Sequence, residues 1–159
     1  MSSDDFTVNL PTSGLDLSGG SQLPKPRGSQ LTDIQELLFR QVNPGWIQDG
    51  RITSQAFGPF PVDRGLLSVS RGALTMAQAA YELFVGRGRQ SVGVASVSVE
   101  ECKQVDLLAY GDPEDQAGIE DPAHAVVDYR HLIANDKERK RKAKALSIKA
   151  QQRGFVYSP

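Results

Sequence analysis

The chain has 159 residues, a formal net charge of −1 and a hydrophobic content of 39%. This length suits one domain of ordinary size plus a short tail. The apolar runs are shorter than the roughly 18 residues that a membrane span needs, and the single cysteine, Cys102, excludes an internal disulfide framework.

Residues 1–30 have the composition of a flexible arm. They contain six serines, four glycines and three prolines, so too little apolar surface is available to offset the entropy of ordering them. The near-alternating apolar residues between Phe6 and Leu17 could add a strand to the body of the protein or to a partner. The N-terminus has two acids and no basic region, which predicts no signal peptide and, with the lone cysteine, a cytoplasmic protein.

Regular structure is expected from Leu31 onward. Thr32 or Asp33 can cap a helical turn over residues 34–38, and the apolar run at 37–42 predicts a strand that ends at a turn over residues 43–45. The Pro- and Gly-punctuated stretch from 43 to 63 predicts an irregular but ordered loop, although residues 51–57 have a composition that allows an extended segment. Large side chains such as Phe57 and Phe60 would fasten this loop to the core.

The rest of the chain alternates predicted strands and helices. Strands are expected at 66–70, 91–99 and 124–129, with a further closing strand at 155–157. Thr75 with Gln78 predicts a capping box for a helix whose apolar face contains Met76, Ala79, Ala80, Leu83 and Phe84, and Ser98 with Glu101 predicts a second capping box for a short helix reaching 107 or 108. We therefore expect an α+β domain over residues 31–159, with a small mixed β-sheet of about 4–5 strands and two to three packed helices.

Charge is distributed unevenly along this domain. Residues 100–128 contain nine acids and one base, whereas residues 134–153 contain eight bases and two acids. Such separation creates local fields even when the total charge is near zero. The two stretches either present a basic face to a partner or pair with each other in the fold.

The basic stretch at 135–153 is expected to be a helix with a narrow apolar seam of Ala143, Leu146 and Ala150. Its outward basic residues could lie against a nucleic-acid backbone, or the helix could be a solvated one that packs by its seam and is neutralised by the acidic loop 111–122. The predicted binding residues on this helix are Lys137, Arg139, Lys140, Arg141, Lys144, Lys149 and Arg153. Arg87 and Arg89, in a turn with Gly86 and Gly88, are a second candidate pair for a phosphate or an acidic partner.

The sequence predicts neither a metal site nor a cofactor. His124 and His131 are the only histidines and Cys102 is the only cysteine, and their spacing matches no common ligand pattern. We expect His124 to form hydrogen bonds at the start of a strand and His131 to lie on the surface.

One arrangement of polar residues suggests an enzyme. Arg40 lies on the first predicted strand, Ser68 and Ser70 lie on the second, and Glu101 follows a third. This order resembles that of Arg/Ser/Glu-type ADP-ribosyltransferases. The resemblance implies that the arginine would meet a dinucleotide phosphate, that the serines would shape the nicotinamide pocket and that the glutamate would support the oxocarbenium ion.

Because the inventory of catalytic groups is thin, the favoured hypothesis is a non-catalytic interaction or accessory module of a cytoplasmic multi-protein assembly. The arm and the loop at 43–63 would contact a protein partner, and the basic helix is a possible nucleic-acid contact. The alternative hypothesis is a small ADP-ribosyltransferase-like enzyme that acts on a nucleotide-type substrate. The sequence leaves the oligomeric state open.

Overall fold

The strands of the protein form one five-stranded sheet and one small hairpin. The structure, a computed structural model, describes residues 23–114 and 118–159. In this part of the chain the strands are β1 (Leu37–Gln41), β2 (Ile47–Gln48), β3 (Arg51–Ile52), β4 (Leu66–Arg71), β5 (Val94–Ser98), β6 (Leu108–Gly111) and β7 (His124–Asp128). The helices are α1 (Ala77–Gly86), α2 (Val99–Gln104) and α3 (Asp136–Arg153).

The strand order of the main sheet is β5-β1-β4-β7-β6. The predicted α+β class is confirmed, with five strands in the main sheet and three helices in the described residues. The expected mixed sheet is instead antiparallel at each of its pairs. The helix α1 does connect two strands that run in the same direction, β4 and β5, but β1 lies between them and is antiparallel to both.

The main core lies between one face of this sheet and α3. Side chains alternate along each strand, so Leu38, Leu67 and Val97 all point to this face and are fully buried. The seam of α3 packs on them, and Ala143, Leu146 and Ala150 are each buried as predicted. The α+β layering therefore follows from one apolar face of the sheet and one apolar stripe of a helix.

The irregular loop at 43–63 closes the end of this core. Asp49 and Gly50 have positive φ angles of 53° and 74°, which is the geometry of a type I′ turn between β2 and β3. The extended segment expected at 51–57 is short, because a 3-10 turn, Ser54–Phe57, replaces its second half. The hydroxyl of the buried Tyr129 donates a 2.5 Å hydrogen bond to the Phe57 carbonyl, which ties the loop to the end of β7.

The helix α1 lies on the other face of the sheet, and its predicted capping box is absent. Met76 occupies the N-cap position without a side-chain hydrogen bond, because Thr75 donates its N–H to the Arg71 carbonyl and so belongs to the preceding turn. Of the expected apolar face, Ala80 alone is buried, whereas the side chain of Met76 is 75% exposed. The spacing of apolar residues therefore predicted the helix α1 correctly, but the expectation that its apolar face is buried was wrong except at Ala80.

The helix α2 begins with the predicted capping box. The Ser98 hydroxyl accepts the Glu101 N–H at 3.1 Å, and the Glu101 carboxylate accepts the Ser98 N–H at 2.8 Å. The helix ends at Gln104, earlier than expected, because Asp106 adopts a left-handed φ of 60°. The chain then enters β6, a strand that the sequence analysis did not predict.

A segment before residue 31 continues the sheet. The Gly28 N–H donates to the Gly111 carbonyl at 2.9 Å, and the Leu31 N–H donates to the Ala109 carbonyl at 2.8 Å. A Cβ atom at Gly28 would lie 2.6 Å from the Gly111 oxygen, so this close approach requires glycine. The part of the predicted arm over residues 1–22, including the docking proposed for Phe6 to Leu17, lies outside the described residues.

The C-terminal residues run beside β5. The Val94 N–H donates to the Tyr157 carbonyl, and Val156 donates back to Val94, so the expected closing strand is reduced to one isolated bridge. None of the helices in residues 23–114 and 118–159 has both the length and the apolar character that crossing a membrane requires.

Candidate functional site

The outward face of α3 carries three exposed lysines on one arc. The side chain of Asn135 caps the helix by accepting the Glu138 N–H at 3.2 Å. Lys137, Lys140 and Lys144 are spaced i, i+3 and i+7, on the side of the helix next to the buried seam, and each is exposed. We call these three residues the lysine arc.

Other basic residues of α3 have partners inside the protein. The contacts join Arg139 to Asp136, Arg141 to Glu138, Lys142 to the Val105 carbonyl, and Arg153 to Glu101. Lys149 is exposed. The predicted binding residues of α3 therefore form two groups. Arg139, Arg141 and Arg153 have partners inside the protein, whereas Lys149 and the three residues of the lysine arc are exposed lysines.

The acidic loop 111–122 has contacts elsewhere in the described structure. Asp112 and Glu114 lie 3.3 and 3.6 Å from the Arg27 guanidinium. Among residues 118–159 and 23–114, this loop forms ion pairs with Arg27 and lies against the His124 ring. The lysine arc is therefore not neutralised by the loop through these contacts.

A groove of about 330 Å³ runs between α3 and the loop at 58–60. Lys140 and Lys144 form one wall, and Pro59 and Phe60 form the other. The Phe60 ring packs on Trp46 with ring centroids 5.6 Å apart, and its side chain remains 39% exposed. An accessible aromatic side chain thus faces the same groove as two lysines.

Arg40 supports this groove from inside the protein. Its guanidinium lies 5.1 Å from the Trp46 ring centroid and donates to the carbonyls of Ala56 at 2.7 Å and Ser68 at 2.9 Å. Burial lowers the pKa of Arg40 to about 10, although the negative charge of Asp63 opposes that shift. The Arg40 guanidinium therefore contacts the sheet at Ser68, the loop at 43–63 through Ala56, and the Trp46 ring.

The structure does not bring the predicted ADP-ribosyltransferase residues into one cleft. Arg40, Ser68 and Ser70 border a common cavity. Glu101 is instead held by Ser98 and by Arg153, whose guanidinium lies 3.0 Å from its carboxylate. Burial raises the pKa of Glu101, but the hydrogen bonds from Arg153 and Ser98 outweigh burial, so the pKa is lowered overall.

The other face of the sheet holds a serine, a histidine and an aspartate in contact. The Ser68 hydroxyl lies 3.1 Å from Nε2 of His124. On the other side of the ring, Nδ1 of His124 lies 2.7 Å from the Asp112 carbonyl and 3.5 Å from the Asp112 carboxylate. His124 thus forms the hydrogen bonds expected of it at the start of a strand, and His131 is exposed.

Sequence reasoning missed this contact because Ser68 and His124 are 56 residues apart. The antiparallel register pairs Ser70 with His124 and Ser68 with Val126, so Ser68 and His124 become diagonal neighbours on one face. The available signal was a pair of serines at alternate positions of an apolar strand. Nothing in the local sequence indicates that a histidine lies beside them.

Arg87 and Arg89 lie at the same cleft. Both line the cavity that Ser68 and His124 border, and the Arg89 guanidinium is 5.6 Å from the Phe84 ring centroid.

Within the described part of the chain, no three histidine, cysteine or acidic side chains are grouped so that they could hold a metal ion. No protein-family model, no curated protein sequence and no solved structure matches this chain.

Proposed function

We propose that the protein is an interaction module that binds single-stranded nucleic acid in the groove between α3 and the loop at 58–60. The observation that carries the proposal is an exposed aromatic side chain, Phe60, facing two lysines of the lysine arc across that groove. The contact of a protein partner with the arm and the loop at 43–63 stays a prediction.

The lysine arc supports binding to a phosphate backbone. Lysine side chains that neutralise phosphates release condensed counterions, which gives affinity without reading the base sequence. Lys137, Lys140 and Lys144 follow one side of the helix over seven residues, or about 10 Å at 1.5 Å per residue. This spacing suits successive phosphates of an extended strand.

The packed rings of Trp46 and Phe60 favour a nucleic acid over a purely acidic polypeptide as the partner. Single strands bind where bases stack on aromatic side chains beside a positively charged groove. Phe60 is positioned by Trp46, which in turn packs against the Arg40 guanidinium. A base stacked on Phe60 would therefore extend an ordered stack that is already in place.

Fluorescence anisotropy of a labelled oligothymidylate tests the proposal. If the three lysines each contact a phosphate, the logarithm of the affinity falls with that of the salt concentration with a slope of about −2, or roughly 20-fold between about 50 and 200 mM salt. The double substitution Lys140→Ala/Lys144→Ala should weaken binding and make the slope shallower. Phe60→Ala should weaken binding by about 1–3 kcal/mol and leave the slope unchanged.

Lys103→Ala is the matched control, since Lys103 is an exposed lysine on α2, away from the groove. Its affinity should equal that of the unsubstituted protein. Binding that is independent of salt, or equally weakened by Lys103→Ala, would contradict the proposal. Equal competition by polyglutamate would instead identify an acidic protein surface as the partner.

A further inference from the structure

The cleft on the α1 side of the sheet has features that the groove at α3 does not explain. His124 is only 7% exposed, yet its Nε2 atom faces a serine hydroxyl that borders two cavities. We propose that Ser68 is a nucleophile activated by His124 and that the cleft hydrolyses small esters carrying a negative charge. This proposal is independent of nucleic-acid binding.

The hydrogen bonds of His124 set the protonation pattern that a general base requires. The Asp112 carbonyl can only accept, so Nδ1 must carry the proton of the neutral imidazole and donate it over 2.7 Å. The Nε2 atom then has a lone pair that accepts the Ser68 O–H at 3.1 Å. A nucleophile and a base within hydrogen-bonding distance, with the base oriented by a third group, are the elements of serine activation.

Asp112 is a positioning residue in this arrangement. Its N–H donates to the His124 carbonyl at 2.9 Å, which fixes the two backbones side by side. Its carboxylate accepts the Arg27 N–H at 3.0 Å and lies 3.5 Å from Nδ1. A negative charge at that distance stabilises the imidazolium that forms when His124 takes a proton.

The cavities indicate the class of substrate. The larger has a volume of about 340 Å³, and its lining contains three basic residues, Lys25, Arg27 and Arg64, two acidic ones, Asp63 and Asp112, and the apolar side chains of Leu66 and Val126. The smaller, about 80 Å³, contains Arg87 and Arg89 and one acidic residue, Asp121. An ester with a short apolar part and a carboxylate or phosphate group matches this combination of apolar lining and positive charge.

The reaction would proceed by acyl transfer to Ser68 and then to water. The Ser68 oxygen attacks the ester carbonyl carbon while its proton passes to Nε2 of His124. The carbon–oxygen bond to the leaving alcohol breaks, and that alcohol takes the proton from Nε2. Water, deprotonated by the same nitrogen, then attacks the acyl carbon. The acyl–serine bond breaks, the Ser68 oxygen takes the proton back from Nε2, and the carboxylic acid is released.

A fluorophosphonate probe tests this assignment on the full chain. An activated serine displaces fluoride from the probe and forms a stable phosphorus–oxygen bond, which intact mass spectrometry and peptide mapping detect. We expect one label, on Ser68, and no label on Ser68→Ala. His124→Gln should slow labelling by about 10²-fold or more, the usual contribution of a general base. Hydrolysis of a p-nitrophenyl ester with a terminal carboxylate should change in parallel.

Ser158→Ala is the matched control, because Ser158 is an exposed serine that borders neither cavity. It should label at the rate of the unsubstituted protein. The unsubstituted protein unfolded in urea is a second control, since an unactivated serine does not react, and it applies even if His124→Gln fails to fold. Absence of a label on the folded protein, labelling of another residue, or labelling at the same rate in urea overturns the proposal.

Discussion

Replacing Leu146 with alanine should lower the free energy of unfolding by about 3–5 kcal/mol. Leu146 is 1% exposed in the seam of α3, where its neighbours are Ala143 and Ala150. Neither alanine can extend into the space that the substitution leaves. The helix is also held at both ends of the seam, by Lys142 and by Arg153, so it cannot move inward to close the cavity. A loss within the range found for buried leucines whose cavity stays open is therefore expected.

Urea unfolding followed by Trp46 fluorescence and by circular dichroism measures this loss. Ile148→Ala is the matched control, because Ile148 lies on the same helix but is 48% exposed. It should change the free energy of unfolding by no more than about 0.5 kcal/mol. A loss below about 1 kcal/mol for Leu146→Ala, or equal losses for both variants, would show that α3 does not pack on the sheet through this seam.

Three further outcomes follow from individual contacts. Since the folded-state pKa of Glu101 is lowered, its carboxylate adds stability above the ordinary carboxyl pKa of about 4.3. That stability is lost as pH falls through the folded-state value. Glu101→Gln should therefore flatten the acid side of a plot of urea midpoint against pH, and an unchanged slope would contradict this. Burial raises the pKa of Cys102 to about 12, so a thiol reagent at pH 8 should react only at the rate of unfolding, and faster reaction would refute it. Gly28→Ala would drive a Cβ atom against the Gly111 oxygen, so trypsin should cleave faster after Arg27, and unchanged cleavage would count against that packing.

Elements whose signals are local were predictable from the sequence. The seam of α3 and the capping box of α2 depend on residues within one or two turns of each other. Both appear in the structure as predicted. The predicted cap of α1 failed because Thr75 is engaged by Arg71 in the preceding turn, a competition that the spacing of Thr75 and Gln78 does not reveal.

The strand β6 was not predicted because its pattern is weak and its partners are remote. It has four residues, and it is stabilised by pairing with β7 on one edge and by the segment around Gly28 on the other. Neither pairing is visible in local composition. Regular structure was expected only from Leu31 onward, but the backbone already pairs with the sheet at Gly28. This earlier start was missed for the same reason, because the partner of Gly28 is the remote residue Gly111.

The sequence alone determined the fold class, the placement of most strands and helices and the basic character of α3, because periodicity and turn chemistry act over a few residues. Tertiary structure decided which charges remain exposed and which side chains meet. It placed Phe60 across the groove from two lysines of the lysine arc and brought Ser68 beside His124. It also paired Glu101 with Arg153, away from the cavity that Arg40, Ser68 and Ser70 border. These contacts depend on strand register and on the crossing of distant segments, which act across the whole chain and leave no local trace in the sequence.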